Sequence, residues 1–127
     1  MDPAIHAALD RGGIIDITTT GRRSGEPRRI EIVFHNVDGR VVISGMPRRD
    51  RTRAWIHNLE ADPNLVVHLK QGVVADLPAT ARIVTDEGER RGLLVAVARN
   101  WSRTDVDAMV AWSPLIEVTI PGYTAAA

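Results

Sequence analysis

The sequence predicts an α+β domain, mainly β, in which antiparallel strands close or nearly close into a barrel with helices packed outside. Three observations predict it. Short runs of alternating apolar and polar residues follow one another through hairpin signals such as Asp38-Gly39. Strand-like and helix-like segments do not alternate regularly, which argues against a doubly wound parallel sheet. The chain of 127 residues is long enough for one domain, spanning all of it, around one real core.

The elements follow in order. Asp2 to Asp10 reads as a short helix with Ile5 and Leu9 on one face, ended by Gly12-Gly13. Ile14 to Thr20 is a strand rich in β-branched residues. Gly21 to Gly25 is a turn, with a glycine at each end to permit positive φ. Arg28 to Asn36 alternates, with Ile30, Ile32 and Phe34 on one face and Arg29, Glu31 and His35 on the other. Arg40 to Ser44 returns as a third strand. Thr52 is placed to cap a helix running to Ala61, with Trp55, Ile56 and Leu59 as its buried stripe and Pro63 beyond its end. Leu65 to Leu69 and Val73 to Val84 are the next strands; Pro78 in the second implies a bulge, an edge or a break. Asp86 and Glu89 have capping-box spacing and open a helix to about Arg99. A shorter helix fits Thr104 to Ala111, and Leu115 to Ile120 is the last strand.

Composition excludes several functions. The apolar fraction of 44% is that of a globular protein. The formal net charge is zero, which argues against a general nucleic-acid binder. There are no cysteines, so disulfides, thiolate catalysis and thiolate metal sites are excluded. The sequence shows no secretory signal, and its longest apolar run, around Gly92 to Ala98, is too short to span a bilayer. A cytoplasmic protein is expected.

Charge is nevertheless concentrated. Between Arg22 and Arg53 there are nine arginines against four acids, Glu26, Glu31, Asp38 and Asp50. Local excess with global neutrality suits a small anionic ligand better than a polymer. Two stretches carry it. In the first, Gly21-Arg22-Arg23-Ser24-Gly25, converging backbone N–H groups, two guanidinium groups and a hydroxyl make a candidate anion nest. The same residues also read as a charged, solvated hairpin tip. In the second, Ser44 to Trp55, a strand end, an arginine-rich loop and a helix N-terminus coincide. Arg51 and Arg53 there oppose the helix dipole by roughly tenths of a kcal/mol each unless an anion lies between them.

The four histidines, His6, His35, His57 and His68, show no metal-ligand spacing, and His35 and His68 fall on the polar faces of their strands. No Ser-His-Asp arrangement is visible. Trp101 and Trp112 flank the last helix, either as packing residues or as pocket walls.

The motifs ITTTGRRSGEPRRIEIVF, VVISG and RAWIHNLEADPNLVVHL together resemble the deazaflavin-dependent nitroreductase family, over roughly Ile14 to Val84 and more weakly to the final strand. The resemblance implies a split β-barrel and coenzyme F420, a deazaflavin with a phospholactyl-polyglutamate tail; some related barrels bind FMN. It implies that Arg22, Arg23, Ser24 and Gly25 lie along the phosphate and tail. It implies that the segment from Ser44 wraps ring and phosphate, with Met46, Pro47, Arg53, Ala54 and Trp55 as best candidates. The implied activity is hydride transfer from the reduced deazaflavin to a small electron-poor acceptor, a quinone, an enone or a nitro compound. The alternatives are an FMN-binding reductase of the same barrel class and a non-catalytic ligand-binding barrel. No protein nucleophile is required, because the cofactor carries the chemistry. Ser44, Tyr123 or bound water is the candidate proton donor. Split barrels are commonly homodimers. Two departures stand out: the loop after the third strand is Met46-Pro47-Arg48-Arg49-Asp50 where many relatives have glycines and a lysine, and Tyr123 is the sole tyrosine.

Overall fold

A computed structural model of the chain describes residues 1–50 and 53–124. The elements are α1 (Pro3–Arg11), β1 (Gly13–Thr20), β2 (Pro27–Val37), β3 (Arg40–Ser44), α2 (Ala54–Ala61), β4 (Asn64–Leu69), β5 (Ala75–Ile83), α3 (Glu87–Asn100), α4 (Val106–Trp112) and β6 (Leu115–Thr119). The strands form a closed antiparallel barrel in the order β1-β2-β3-β6-β5-β4, with β4 pairing back onto β1. The expected barrel is present.

Alternation decides which side chains go inside. Ile15 and Ile17 of β1, Phe34 of β2, Val41 and Ile43 of β3, Leu65, Val67 and Leu69 of β4, and Ile116 and Val118 of β6 form one buried cluster. Burying each such side chain contributes about 1.5–3 kcal/mol. The ends of the barrel are closed by helices. Ala8 and Leu9 of α1 join the same cluster beside the Gly13 end of β1, and Trp55, Ile56 and Leu59 of α2 join it beside the Thr20 end. Only α3 and α4 pack on the outer wall. They cover a second cluster that includes Val42, Val84 and Leu115 together with Leu94, Val97 and Met109.

Caps explain the helix boundaries. The Asp2 carboxylate accepts the N–H groups of Ala4 and Ile5, and Gly12, at φ 75°, ends α1. The Asp86 carboxylate accepts the Glu89 N–H at 2.9 Å. Glu89 does not complete the capping box. Its own carboxylate pairs instead with Arg40 and Arg82, which also bind Glu117 and so join β3, β5, β6 and α3. Helix α2 begins at Ala54 with Arg53 at the capping position, and the Arg53 side chain does not cap it. The expected Thr52 cap, like Arg51, lies outside the described residues.

Pro78 makes no bulge: β5 pairs with β4 through Val66↔Pro78 without a break. Pairing of β5 with β6 begins only at Thr80, so Pro78 sits where β5 has one neighbour, and its missing N–H breaks no bond there.

Candidate functional site

The Gly21–Gly25 turn lies against the start of α2. Its shape is fixed from within. The Gly21 N–H donates to the Glu26 carbonyl and the Gly25 N–H to the Gly21 carbonyl, both at 2.8 Å. The Ser24 hydroxyl oxygen accepts the Glu26 N–H at 3.2 Å and the Arg28 guanidinium at 3.4 Å. Gly25 takes φ +70°, as expected. Gly21 is required for a different reason. A Cβ there would stand 2.7 Å from the Ser24 hydroxyl.

The nest expected from the backbone is therefore corrected. The N–H groups of Gly21, Arg22, Gly25 and Glu26 are already spent inside the protein. What the turn offers an anion is its side chains. Arg22 and Arg23 are exposed and make no ion pair among the described residues.

Sequence reasoning missed the residue that joins turn to helix. Asn58 is buried on α2; its Oδ1 accepts the Arg22 N–H and its Nδ2 donates to the Thr19 hydroxyl, both at 3.1 Å. The available signal was a polar residue three positions after Trp55, inside an otherwise apolar stripe. Together these groups wall a cavity of about 400 Å³, lined by Arg22, Arg23, Arg28, Ala54, Trp55 and Asn58 among others. Among the described residues no carboxylate lines it. The first turn of α2 also carries no acid. Guanidinium groups, an uncapped helix start and an apolar wall make this a site for an anion attached to a flat apolar body. Arg28, which the sequence reading did not select, belongs to it.

The first turn of α2 divides this cavity from a second one. Ala54, Trp55 and Asn58 face the turn, whereas Arg53 and Ile56 line a cleft of about 450 Å³ that continues to Trp112, Ser113 and Pro114. The loop after β3 forms its rim. Arg48 pairs with Asp50 at 2.9 Å, which raises the guanidinium's affinity for its proton. Arg49 stacks over the Trp112 ring, 5.1 Å from its centroid. Arg53 donates to the Met46 carbonyl, and Arg103 reaches the Met46 sulfur at 3.2 Å. Behind the cleft, Arg90 donates to the carbonyls of Val84, Met109, Val110 and Ser113, fixing the end of α4 to the end of β5.

Expected site residues thus divide. Arg22, Arg23, Ser24, Ala54 and Trp55 converge on the turn cavity, and Arg53 faces the cleft. Gly25, Met46 and Pro47 line neither; Gly25 shapes the turn, and Met46 is half exposed on the loop. The two candidate proton donors are spoken for. Ser44 is buried and its hydroxyl donates to the Pro114 carbonyl at 2.7 Å. Tyr123 donates to Asp10 and accepts from Asn36, packed against His6 at the α1 end of the barrel. That end is opposite the Arg22 turn, since β1 runs from one to the other. Burial and then the Asp10 carboxylate push the Tyr123 hydroxyl upward from its ordinary range.

The two strand histidines face outward but are covered, not solvated. His35 lies beneath Trp101 and Asn100, and burial lowers its affinity for a proton. His68 links Thr18 and Asp76 across three strands, at 2.7 Å and 2.6 Å. Among the described residues no cluster suits a metal ion, and no helix is long and apolar enough to cross a membrane.

Comparison with known proteins decides between the ligands that such a site admits. The model of the F420H(2)-dependent quinone reductase family matches residues 4–120. The chain belongs to that family. It is an F420-dependent oxidoreductase, and its cofactor is coenzyme F420. Structural likeness agrees at the level of fold. A conserved hypothetical protein of Mycobacterium tuberculosis shares 19% identity at a TM-score of 0.72, over 95% of this chain and 81% of that one. An F420-H2 dependent reductase shares 23% at 0.57, over 84% and 94%, and an F420 reductase shares 15% at 0.67, over 92% and 93%. The expected resemblance to deazaflavin reductases therefore holds. For this F420H(2)-dependent quinone reductase family member, the cavity meets the cofactor's demands: unpaired cations for an acidic tail beside the apolar faces of Trp55 and Ile30.

Proposed function

We propose that the chain reduces a small electron-poor acceptor, a quinone, an enone or a nitro compound, using F420 bound across the first turn of α2. The observation that carries this reading is the turn cavity, whose polar lining is cationic or neutral, with no acid among the described residues. Arg22, Arg23 and Arg28 would hold the phosphate and glutamate tail. Ser24 and Gly25 keep the turn that presents them. Arg53, Ala54 and Trp55, with the loop from Ser44 through Met46 and Pro47, would hold the ring end.

When bound, the reduced deazaflavin supplies the hydride. The chain's own residues bind, orient and exclude water. Asn58 locks the turn to the helix, so the guanidinium groups keep one position relative to Trp55. Trp55 and Ile30 remove water from one wall, which strengthens every charge contact beside them. Ser44 and Tyr123 hold their protons in bonds to other protein groups, so in this reading proton exchange with the acceptor runs through water.

The test is a titration of the protein with F420, followed by the cofactor's fluorescence at low and high salt. Binding should weaken with salt, because exposed charges carry it. The Arg22→Ala/Arg23→Ala protein should bind at least about tenfold more weakly, equivalent to about 1.4 kcal/mol. Unchanged affinity in that variant would remove the turn from the cofactor site.

A further inference from the structure

The outer wall of the barrel away from α3 and α4 carries a hydrogen-bonded chain that F420 chemistry does not use. Thr18 of β1, His68 of β4 and Asp76 of β5 come from three strands, so nothing in their sequence order announces them. The register brings them to one face. Asp16, His68 and Asp76 are successive cross-strand partners, and Thr18, Val66 and Pro78 form the neighbouring row. The Thr18 hydroxyl lies 2.7 Å from His68 Nε2, and His68 Nδ1 lies 2.6 Å from the Asp76 carboxylate. An ionised carboxylate only accepts, so in the neutral ring Nδ1 carries the proton and Nε2 accepts the Thr18 O–H. Nucleophile, base and orienting acid thus stand in the order that activates a hydroxyl. The His68 ring is buried and held at both nitrogens, whereas Thr18 is half-buried. Arg29 is the cross-strand partner of Thr18 on β2. Its Nε donates to Asp16 at 3.0 Å, and its Nη groups make no hydrogen bond among the described residues. Donors beside the nucleophile are what a developing oxyanion requires. On the other side of Thr18, Val66 and the exposed Pro78 offer apolar surface to an acyl group.

We propose that Thr18 is a nucleophile for acyl transfer and that this face cleaves small activated esters, such as aryl esters of short carboxylic acids. The Thr18 oxygen attacks the ester carbonyl carbon, and His68 Nε2 takes the hydroxyl proton. Arg29 faces the negative charge that develops on the carbonyl oxygen. The bond from the carbonyl carbon to the aryl oxygen breaks, the proton on His68 passes to that oxygen, and the acyl group stays on Thr18. Water then attacks the Thr18 ester with His68 as base, which releases the acid and restores the hydroxyl. An alkyl ester is less reactive than an aryl ester, so the acyl group accumulates on Thr18 before water removes it. Both steps are redox-neutral and independent of F420. Thr18 and His68 are the catalytic residues, and Asp76 positions the ring.

The experiment treats the full chain with p-nitrophenyl acetate. Nitrophenolate release is followed by absorbance, and the acetylated residue is mapped by peptide mass spectrometry. The parent should show a burst stoichiometric with protein, then slow turnover. The acetyl group should sit on Thr18 and be removed by hydroxylamine, as an ester is and an amide on Lys70 is not. Thr18→Val keeps the shape of the side chain and should lose the burst, whereas Thr18→Ser should keep it. His68→Gln should slow the burst at least about a hundredfold, the usual contribution of a general base. Asp76→Asn should slow it by more than about tenfold, and Asp76→Glu should restore part of the rate, with melting temperature unchanged in both. A merely structural Asp76 would move the melting temperature and not the rate. Acetyl groups found only on Lys70 or the N-terminus overturn the proposal. So does a burst that survives Thr18→Val, or one whose rate is unchanged in folded His68→Gln protein.

Discussion

Asn58 holds Arg22 by its backbone: the side-chain carbonyl of one accepts the N–H of the other at 3.1 Å. The same amide donates to Thr19, at the last turn of β1 before the arginines. A helix and a hairpin tip that are far apart in sequence are thereby held in one register. The Arg22 side chain is exposed while its backbone is anchored.

Asn58→Leu keeps the volume and removes both bonds, leaving the Arg22 N–H and the Thr19 hydroxyl without their partner. The expected cost is about 1–3 kcal/mol. Denaturant unfolding reads the stability loss, and an F420 titration of the still-folded variant should show weaker binding. An Asn58→Leu protein as stable as the parent would mean that water replaces the amide.

The two glycines of the turn should fail differently. Gly21→Ala brings a methyl group to within 2.7 Å of the Ser24 hydroxyl, which must move and give up its bonds to the Glu26 N–H and Arg28, so F420 affinity should drop. Gly25→Ala meets nothing within 4 Å but forces a left-handed backbone, at a cost of about 1–2 kcal/mol in stability. Gly25→Asn should recover part of that loss, because asparagine tolerates this region. Identical behaviour of the two alanine variants would contradict this distinction.

Stability should decline with acid in two pH windows. Burial lowers the His35 pKa, so its neutral form belongs to the fold; that contribution is full above about pH 6.5 and declines as pH falls through the depressed value. Glu89 is pushed down to about 2 by Arg82 first and Arg40 second. Its folded pKa lies below its ordinary one, so its contribution is present above pH 4.5 and is lost as pH falls toward 2. Glu89→Gln should flatten the lower part of a stability-against-pH curve and leave the part near pH 6 alone. A variant whose lower limb keeps the parent's slope would place the acid sensitivity elsewhere.

Tyr123→Phe should retain hydride transfer, since the hydroxyl belongs to the α1 end of the barrel. It loses the bonds to Asp10 and Asn36, and melting should report about 1 kcal/mol of destabilisation. A large fall in turnover at unchanged stability would return Tyr123 to the candidates for proton transfer.

Much of this architecture was legible in the residues. All six strands were legible: alternation marked β2 and β4, because one face of each meets a dry interior, β-branched residues marked β1, and the Asp38-Gly39 turn bounded Arg40–Ser44 to the residue on one side. The turn and the start of α2 were both legible as candidate anion sites because guanidinium groups outnumber acids there. What escaped was long-range. Asn58 looks like an ordinary helix residue until Thr19 and Arg22 arrive beside it. The backbone nest is largely used up because the turn's own carbonyl and hydroxyl groups and the Asn58 side chain claim the N–H groups of Gly21, Arg22, Gly25 and Glu26. Ser44 and Tyr123 carry suitable hydroxyls, but pairing across the barrel decided what those hydroxyls touch. The two histidines were placed on the polar faces of their strands, but alternation reports which face a residue takes and not what later covers that face.

Pro78 has a consequence for how the molecule behaves in a crowd. A closed ring of strands offers other chains little to extend, yet β5 runs for several residues before β6 joins it. An unpaired stretch of backbone is where a neighbouring molecule could add a strand of its own and begin an aggregate. Proline at that point supplies no N–H for an incoming carbonyl. The residue that looked like a fault in a strand is placed to keep separate copies of the protein from knitting together.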